Sequence, residues 1–97
     1  DAGGLALSKD GGTGSVDFGY GTLVDPNNQV PLPNCKLVSL SQEHGKIRYS
    51  SEEPPLSLGD QVRILPNHSC MTAACHPQLY AVRGSEIEAI WSPARGW

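Results

Sequence analysis

The clearest structural signal in the chain lies in residues 36–49, which run Lys36-Leu37-Val38-Ser39-Leu40-Ser41-Gln42-Glu43-His44-Gly45-Lys46-Ile47-Arg48-Tyr49. Apolar and polar residues alternate in residues 46–49, so Ile47 and Tyr49 share one face of a strand. The polar turn between the two strand-like segments ends at Gly45, where glycine supplies the positive φ that hairpin turns often require. We therefore predict a β-hairpin over residues 36–49, with Ile47 and Tyr49 facing the core.

Short segments of this kind recur along the chain, bounded by Gly, Pro, Asn or Asp. The predicted strands are residues 5–8, 16–20, 36–41, 46–49, 61–65, 79–83 and 86–91. A second hairpin is expected over residues 79–91, turning at Arg83-Gly84-Ser85. Seven short strands with this much turn material predict one mostly-β domain over residues 1–97, a compact antiparallel β-barrel or sandwich.

Composition excludes several classes of function. A chain of 97 residues holds one small domain, and its 11 Gly and 8 Pro make that domain rich in loops. The chain has a net charge of −3 and shows no basic stripe of the kind that binding to DNA or RNA requires, so we expect no nucleic-acid partner. The chain has neither a long apolar run nor a signal segment, so we expect no membrane partner and a cytoplasmic protein. Because it begins at Asp1 without a Met, we expect a piece of a longer protein.

The cysteines argue against a disulfide scaffold. Cys35, Cys70 and Cys75 are odd in number, so they cannot all pair within one chain, and a reducing compartment fits them. Cys70 and Cys75 form a local pattern H-x-C-x4-C-H with His68 and His76. This pattern does not match the C-x2-C pairs of structural zinc sites, so we do not predict a closed structural zinc site.

His68 and Cys70 are the candidate metal ligands. They lie two residues apart where a predicted strand leads into a Pro-Asn loop, and an extended chain would point both side chains to one side. Imidazole nitrogen and thiolate sulfur are ligands that Zn²⁺ prefers, and two protein ligands leave positions open for water or substrate, as in catalytic sites. The alternative is a surface imidazole that merely lies beside a buried thiol.

The segment that contains this pair runs Gly59-Asp60-Gln61-Val62-Arg63-Ile64-Leu65-Pro66-Asn67-His68-Ser69-Cys70-Met71-Thr72, and Leu79-Tyr80-Ala81-Val82-Arg83-Gly84 follows it. These residues closely resemble the C-terminal domain of the D-serine dehydratase and D-threonine aldolase family. Shorter matches occur in the same order at Asp1-Ala2-Gly3, Ala6-Leu7-Ser8, Gly19-Tyr20-Gly21, Leu40-Ser41-Gln42-Glu43-His44-Gly45 and residues 91–96. The resemblance spans essentially the whole chain.

The resemblance implies a parent enzyme with an alanine-racemase-like N-terminal barrel that carries pyridoxal phosphate on a lysine. This β domain would pack beside that barrel, commonly in a homodimer. In the dehydratase branch the matching His-x-Cys pair binds zinc, so the resemblance assigns His68 and Cys70 as metal ligands. The aldolase branch often carries Asp in place of this cysteine, and Cys70 therefore favours dehydration. The cofactor would take up the electrons of a carbanion at Cα, and the metal would polarise the β-hydroxyl of the substrate.

The chain departs from the family pattern in two respects. Met71 stands where the family usually has Pro, which affects the loop that follows Cys70. The Schiff-base lysine belongs to the N-terminal barrel, and Lys9, Lys36 and Lys46 have no context that suits imine chemistry. We therefore expect the chain by itself to be catalytically inactive.

These observations predict the metal-binding C-terminal domain of a lyase that depends on pyridoxal phosphate and acts on D-3-hydroxy amino acids. Dehydration of D-serine to pyruvate and ammonia is the favoured reaction, with D-threonine aldolase and 3-hydroxyaspartate dehydratase activities as alternatives. An alternative of another class is a non-enzymatic β-barrel interaction module whose His-x-Cys is incidental. Trp91 and Trp97 are candidates for an apolar face that meets the rest of the enzyme, although Trp91 would equally fit a core position.

Overall fold

The computed structural model describes residues 2–10 and 16–94. In these ranges the chain forms β1 (Thr22–Val24), β2 (Cys35–Leu40), β3 (Gly45–Tyr49), β4 (Arg63–Leu65), α1 (Ser69–Ala74), β5 (Leu79–Arg83) and β6 (Glu86–Trp91). The strands pair antiparallel, β1 with β4, β2 with β3 and β5 with β6. The predicted mostly-β, antiparallel fold is confirmed. Its described strands form two-stranded sheets without closing into a barrel, which is compatible with a sandwich.

Both predicted hairpins are present, but Gly45 has a different role from the one expected. Gly45 begins β3 opposite Leu40 and does not have a positive φ. A Cβ atom added to Gly45 would lie 2.6 Å from Leu37 Cδ1 and 2.7 Å from the carbonyl oxygen of Ala2. Glycine is therefore required at this position for space, because the Leu37 side chain and the N-terminal segment close over it.

The expected strand at residues 5–8 is wrong. The amides of Ala6 and Leu7 donate to the carbonyl oxygen of Gly3 at 3.1 and 3.0 Å, so the chain turns back on itself. Ala6 and Leu7 are buried, and they form the core cluster with Leu37, which is only 1% exposed. The apolar side chains of this segment therefore enter the core from a turn, which a search for period-two alternation does not detect.

The expected strand at residues 16–20 is also wrong. Asp17 Oδ1 accepts a hydrogen bond from the amide of Gly19 at 2.8 Å, which closes an Asx turn instead of extending the chain. Gly19 has φ +66°, and an added Cβ atom would collide with the carbonyl oxygen of Leu37. The amide of Tyr20 donates to that same oxygen at 3.1 Å, so this turn packs directly on β2.

β1 is a strand that the sequence analysis did not predict. It has only three residues and lies between Gly21 and the Asp25-Pro26 turn, so the apolar pattern is too short to detect. Its pairing with β4 places Leu23 opposite Ile64, and Leu23 and Val24 are almost fully buried. Two segments that lie far apart in sequence are thereby joined.

The core-facing position predicted for Ile47 is confirmed, since Ile47 is half-buried and packs against the cluster around Leu37. Tyr49, predicted to share that face, is 41% exposed, so its predicted core position is wrong. Tyr49 lies at the end of β3 opposite Cys35, beyond the side chains that cover the cluster. In the described parts of the chain, no helix has the length and apolar content needed to cross a membrane.

The burial of Leu37 gives a prediction for stability. Leu37→Ala is expected to lower the free energy of unfolding by about 2–5 kcal/mol, because it removes a fully buried side chain and leaves a cavity. Urea unfolding followed by circular dichroism measures this change. The matched control is Leu58→Ala, because Leu58 is fully exposed and its truncation should change the free energy by less than about 0.5 kcal/mol. Equal effects of the two substitutions would contradict the placement of the core.

Candidate metal centre

His68 and Cys70 lie at the beginning of α1. His68 is the N-cap residue, with φ −126° and ψ 92°, and Cys70 is the second residue of the helix. The expectation of an extended chain from His68 to Cys70 is therefore wrong, because the backbone becomes helical at Ser69. Both side chains are exposed, and the Cys70 thiol is free. The structure thus presents an imidazole and a thiol at an accessible helix terminus.

Two side chains, one on either side of the pair, hold this part of the chain with three hydrogen bonds. Asn67 Nδ2 donates to the carbonyl oxygens of Ser8 at 3.2 Å and Gly19 at 2.9 Å. Thr72 Oγ1 donates to the carbonyl oxygen of Ala6 at 2.6 Å. All three acceptors are backbone groups from the N-terminal part of the chain. The position of α1 therefore depends on the turn that also supplies the core with Ala6.

Cys75 follows α1 and forms a hydrogen bond with the same N-terminal segment. Its thiol donates to the carbonyl oxygen of Leu5 at 3.1 Å and also lies 3.5 Å from that of Met71. Cys75 and His76, which follow α1, line a cavity of about 250 Å³ together with Glu43 of the β2–β3 loop and Leu5 of the N-terminal turn. Among the described residues, no group of three or more His, Cys, Asp or Glu side chains is placed to hold a metal ion.

Asp10 lies next to His68, a neighbour that the sequence analysis did not predict. Asp10 Oδ2 is 3.6 Å from His68 Nδ1, and the two side chains are 80% and 47% exposed. No spacing rule connects residues this far apart in sequence, so only the folded chain brings them together. The contact leaves Nε2 as the imidazole nitrogen that faces away from the carboxylate.

A second carboxylate, Asp17, is engaged with lysines. Lys36 Nζ lies 2.9 Å from Asp17 Oδ2, and Lys9 Nζ lies 4.0 Å from the same oxygen. The hydrogen bond from Lys36, followed by that from the amide of Gly19, lowers the pKa of Asp17 below its ordinary value. Two of the three lysines are therefore partnered by Asp17, while Lys46 is exposed on β3.

Comparison with known proteins gives a consistent result. The profile of the putative serine dehydratase domain matches residues 1–82. The chain is 36% identical over 105 residues to D-threo-3-hydroxyaspartate dehydratase of Delftia sp. HT23, and 36% identical over 101 residues to D-serine dehydratase of Schizosaccharomyces pombe. All of this chain is covered in both matches, but it spans only 27% and 22% of the length of these relatives.

Solved structures have the same fold. An alanine-racemase-like protein from Idiomarina loihiensis is 37% identical with a TM-score of 0.80, and the match covers 98% of this chain and 26% of that one. The Delftia enzyme gives a TM-score of 0.79 at 35% identity, covering 100% of this chain and 27% of that one. A solved variant of a D-threo-3-hydroxyaspartate dehydratase replaces a histidine by alanine. Another replaces a cysteine two positions later and is described as a metal-free form.

The hydrogen bond from Thr72 gives a prediction for the position of α1. Thr72→Val removes the donor to the Ala6 carbonyl and is expected to lower the free energy of unfolding by about 1 kcal/mol. The matched control is Thr72→Ser, which keeps the hydroxyl group and should retain most of that stability. Urea unfolding of the three proteins measures the difference. If Val and Ser have the same effect, the hydroxyl group does not hold the helix.

Proposed function

The chain belongs to the putative serine dehydratase domain family, and we propose that it is the metal-binding C-terminal domain of a dehydratase acting on D-3-hydroxy amino acids, D-serine in the first place. The relatives named as D-serine and D-threo-3-hydroxyaspartate dehydratases support this class of reaction. Because the chain spans about a quarter of their length, the proposed activity is that of the longer enzyme.

The observation that carries the proposal is the accessible His68–Cys70 pair at the beginning of α1. The two residues have the same spacing as the histidine and cysteine replaced in the solved variants of D-threo-3-hydroxyaspartate dehydratase, one of which is described as metal-free. An imidazole nitrogen and a free thiol form a donor set suited to Zn²⁺. Two protein ligands leave coordination positions open, which is the arrangement of a catalytic metal site.

His68 Nε2 and Cys70 Sγ would hold the ion, since Nδ1 of His68 faces Asp10. When bound, zinc supplies a Lewis acid that polarises the β-hydroxyl of the substrate. The chain itself contributes positioning. The Asp10 carboxylate lies 3.6 Å from Nδ1 of His68, where it would help to orient the imidazole with Nε2 toward the ion. Asn67 and Thr72 keep the beginning of α1 against the N-terminal segment.

In the proposed enzyme, an alanine-racemase-like barrel outside this chain binds pyridoxal phosphate. Lys9 and Lys36 form ion pairs with Asp17. These contacts support the proposal that the Schiff-base lysine lies outside this chain. The domain alone is then expected to be inactive, and the full-length enzyme is expected to act as a homodimer in the cytoplasm, where the three free thiols persist.

D-threo-3-hydroxyaspartate is a second candidate substrate. The observation that favours it is the similarity to the Delftia dehydratase in both sequence and structure. The two substrates share the D configuration and the β-hydroxyl, so the same metal pair would serve both. Initial rates with each substrate, measured on the full-length enzyme, distinguish them.

The metal ligands are tested on the full-length enzyme. We expect about one zinc ion per chain, and we expect His68→Ala and Cys70→Ala each to abolish both zinc content and pyruvate formation from D-serine. Atomic absorption and a coupled pyruvate assay measure the two quantities. His44→Ala is the matched control, because His44 is exposed at the hairpin loop. The Cys75→Ser protein should also retain the zinc ion. Loss of zinc from that protein would contradict the assignment of ligands. Zinc retained in both the His68 and the Cys70 variants would overturn the site.

The role of Asp10 is tested by the affinity for zinc. Asp10→Asn is expected to weaken zinc binding about tenfold or more, because it removes the carboxylate that orients His68. Competition with a chromophoric chelator measures the dissociation constant. Glu52→Gln makes the same change in net charge at an exposed site and should leave the affinity unchanged. Equal effects of the two substitutions would show that only the overall charge matters.

A further inference from the structure

The C-terminal hairpin ends in an exposed aromatic side chain. Trp91, for which the sequence left a core position open, is exposed in the structure and is therefore not a core residue. Trp97, the other candidate for an apolar face, lies outside the described residues. The described side chains of this hairpin do not belong to the buried core.

Asn67, by contrast, has a partly buried polar side chain with two defined partners. Its amide nitrogen Nδ2 donates to the carbonyl oxygen of Gly19 at 2.9 Å and to that of Ser8 at 3.2 Å. An amide nitrogen carries two hydrogens, so both donors are used. A hydroxyl group has one donor and a carboxylate has none, so a short side chain that serves both oxygens must be an amide.

The hydrogen bond to Ser8 connects the two short segments that meet at the candidate metal centre. Asn67 directly precedes His68, and Ser8 lies two residues before Asp10. The amide of Asp10 donates to Ser8 Oγ at 3.3 Å, so the backbone at Asp10 is itself bonded to Ser8. Two residues span at most about 7 Å. One hydrogen bond therefore limits the positions of both partners in the 3.6 Å contact between Asp10 Oδ2 and His68 Nδ1.

The hydrogen bond to Gly19 connects the same amide to the β2–β3 hairpin. The amide of Tyr20 donates to the main chain of β2, so the turn that contains Gly19 packs on that strand. The side chain of Asp17 accepts the amide of Gly19 and also forms an ion pair with Lys36 of β2. Asn67 is thereby bonded to a turn that is fixed on a strand of the core.

Thr72 differs from Asn67 in the segments that it connects. Its hydroxyl group donates to the carbonyl oxygen of Ala6, four residues before Asp10. Thr72 is the fourth residue of α1, so this hydrogen bond holds the helix itself. Asn67 instead bonds to the residue on which the backbone of Asp10 rests.

We propose that Asn67 is a positioning residue of the metal centre, and that its amide holds Asp10 against His68. Asn67 is not a metal ligand in this proposal. It strengthens zinc binding through the contact that orients the imidazole. Its effect on zinc affinity rests on the proposed metal site, but the contact between Asp10 and His68 can be observed without the metal.

A double-mutant cycle on the full-length enzyme tests the proposal. Asn67→Leu removes both donors without changing the net charge, and we expect it to weaken zinc binding about tenfold or more. In the Asp10→Asn protein the same substitution should weaken binding by less than about threefold, because the carboxylate that Asn67 positions is already absent. Competition with a chromophoric chelator measures the four dissociation constants. Equal factors in the two backgrounds would overturn the proposal.

Two further variants complete the cycle. Thr72→Val should change the zinc affinity by the same factor with and without the Asp10→Asn substitution, because Thr72 holds the helix and not the Asp10 segment. A dependence on Asp10 as large as that of Asn67→Leu would contradict the specific role of Asn67. Asn67→Ser keeps one donor and replaces the Leu variant if circular dichroism shows that the latter is unfolded. We expect a smaller loss of affinity from it, with the same dependence on Asp10.

The crystal structure of the zinc-free Asn67→Leu enzyme separates this inference from the proposed function. The contact between Asp10 and His68 should be present in the parent enzyme and lost in the variant. If it is lost but the parent neither binds zinc nor dehydrates D-serine, the proposed function is wrong and the positioning role stands. If the contact is retained in the variant of an enzyme that binds zinc and is active, only the positioning role is wrong.

Discussion

The burial of Leu37 organises the core that joins the N-terminal turn to the β2–β3 hairpin. Its side chain packs against Ala6 and Leu7 of the N-terminal turn, and its carbonyl oxygen accepts the amide of Tyr20. Position 45 has room only for glycine, because the Leu37 side chain lies directly over it. Two turns and the beginning of β3 thus meet at one leucine, so a small domain obtains its core with few buried residues.

The candidate metal centre depends on this core indirectly. Ala6 and Leu7 direct their side chains inward, while the carbonyl oxygens of Ala6 and Ser8 accept hydrogen bonds from Thr72 and Asn67. A single segment therefore connects the packing around Leu37 with the position of α1. A six-residue helix without a buried residue could not maintain its position by packing alone.

The sequence predicted those parts of the fold that local patterns encode. Both hairpins were recognised from alternation and turn residues. The assignment of His68 and Cys70 as metal ligands rests on the chemistry of their side chains and stays a prediction. The N-terminal turn was missed because it shows no period-two alternation, and β1 because three residues are too few to form a pattern. The contact between Asp10 and His68 was missed because these residues are distant in sequence. The helix at Ser69 was missed because six residues are too few to show a periodicity.

The hydrogen bonds that hold α1 have a consequence for how such domains tolerate substitution. The donors are the side chains of Asn67 and Thr72, but the acceptors are main-chain oxygens, which every residue type provides. Residues 5–8 can therefore change in identity, within the limits of the core, without losing these anchors. Only the donor side of each contact requires a particular residue type, so the N-terminal turn can change its side chains while the backbone geometry beside His68 and Cys70 is kept.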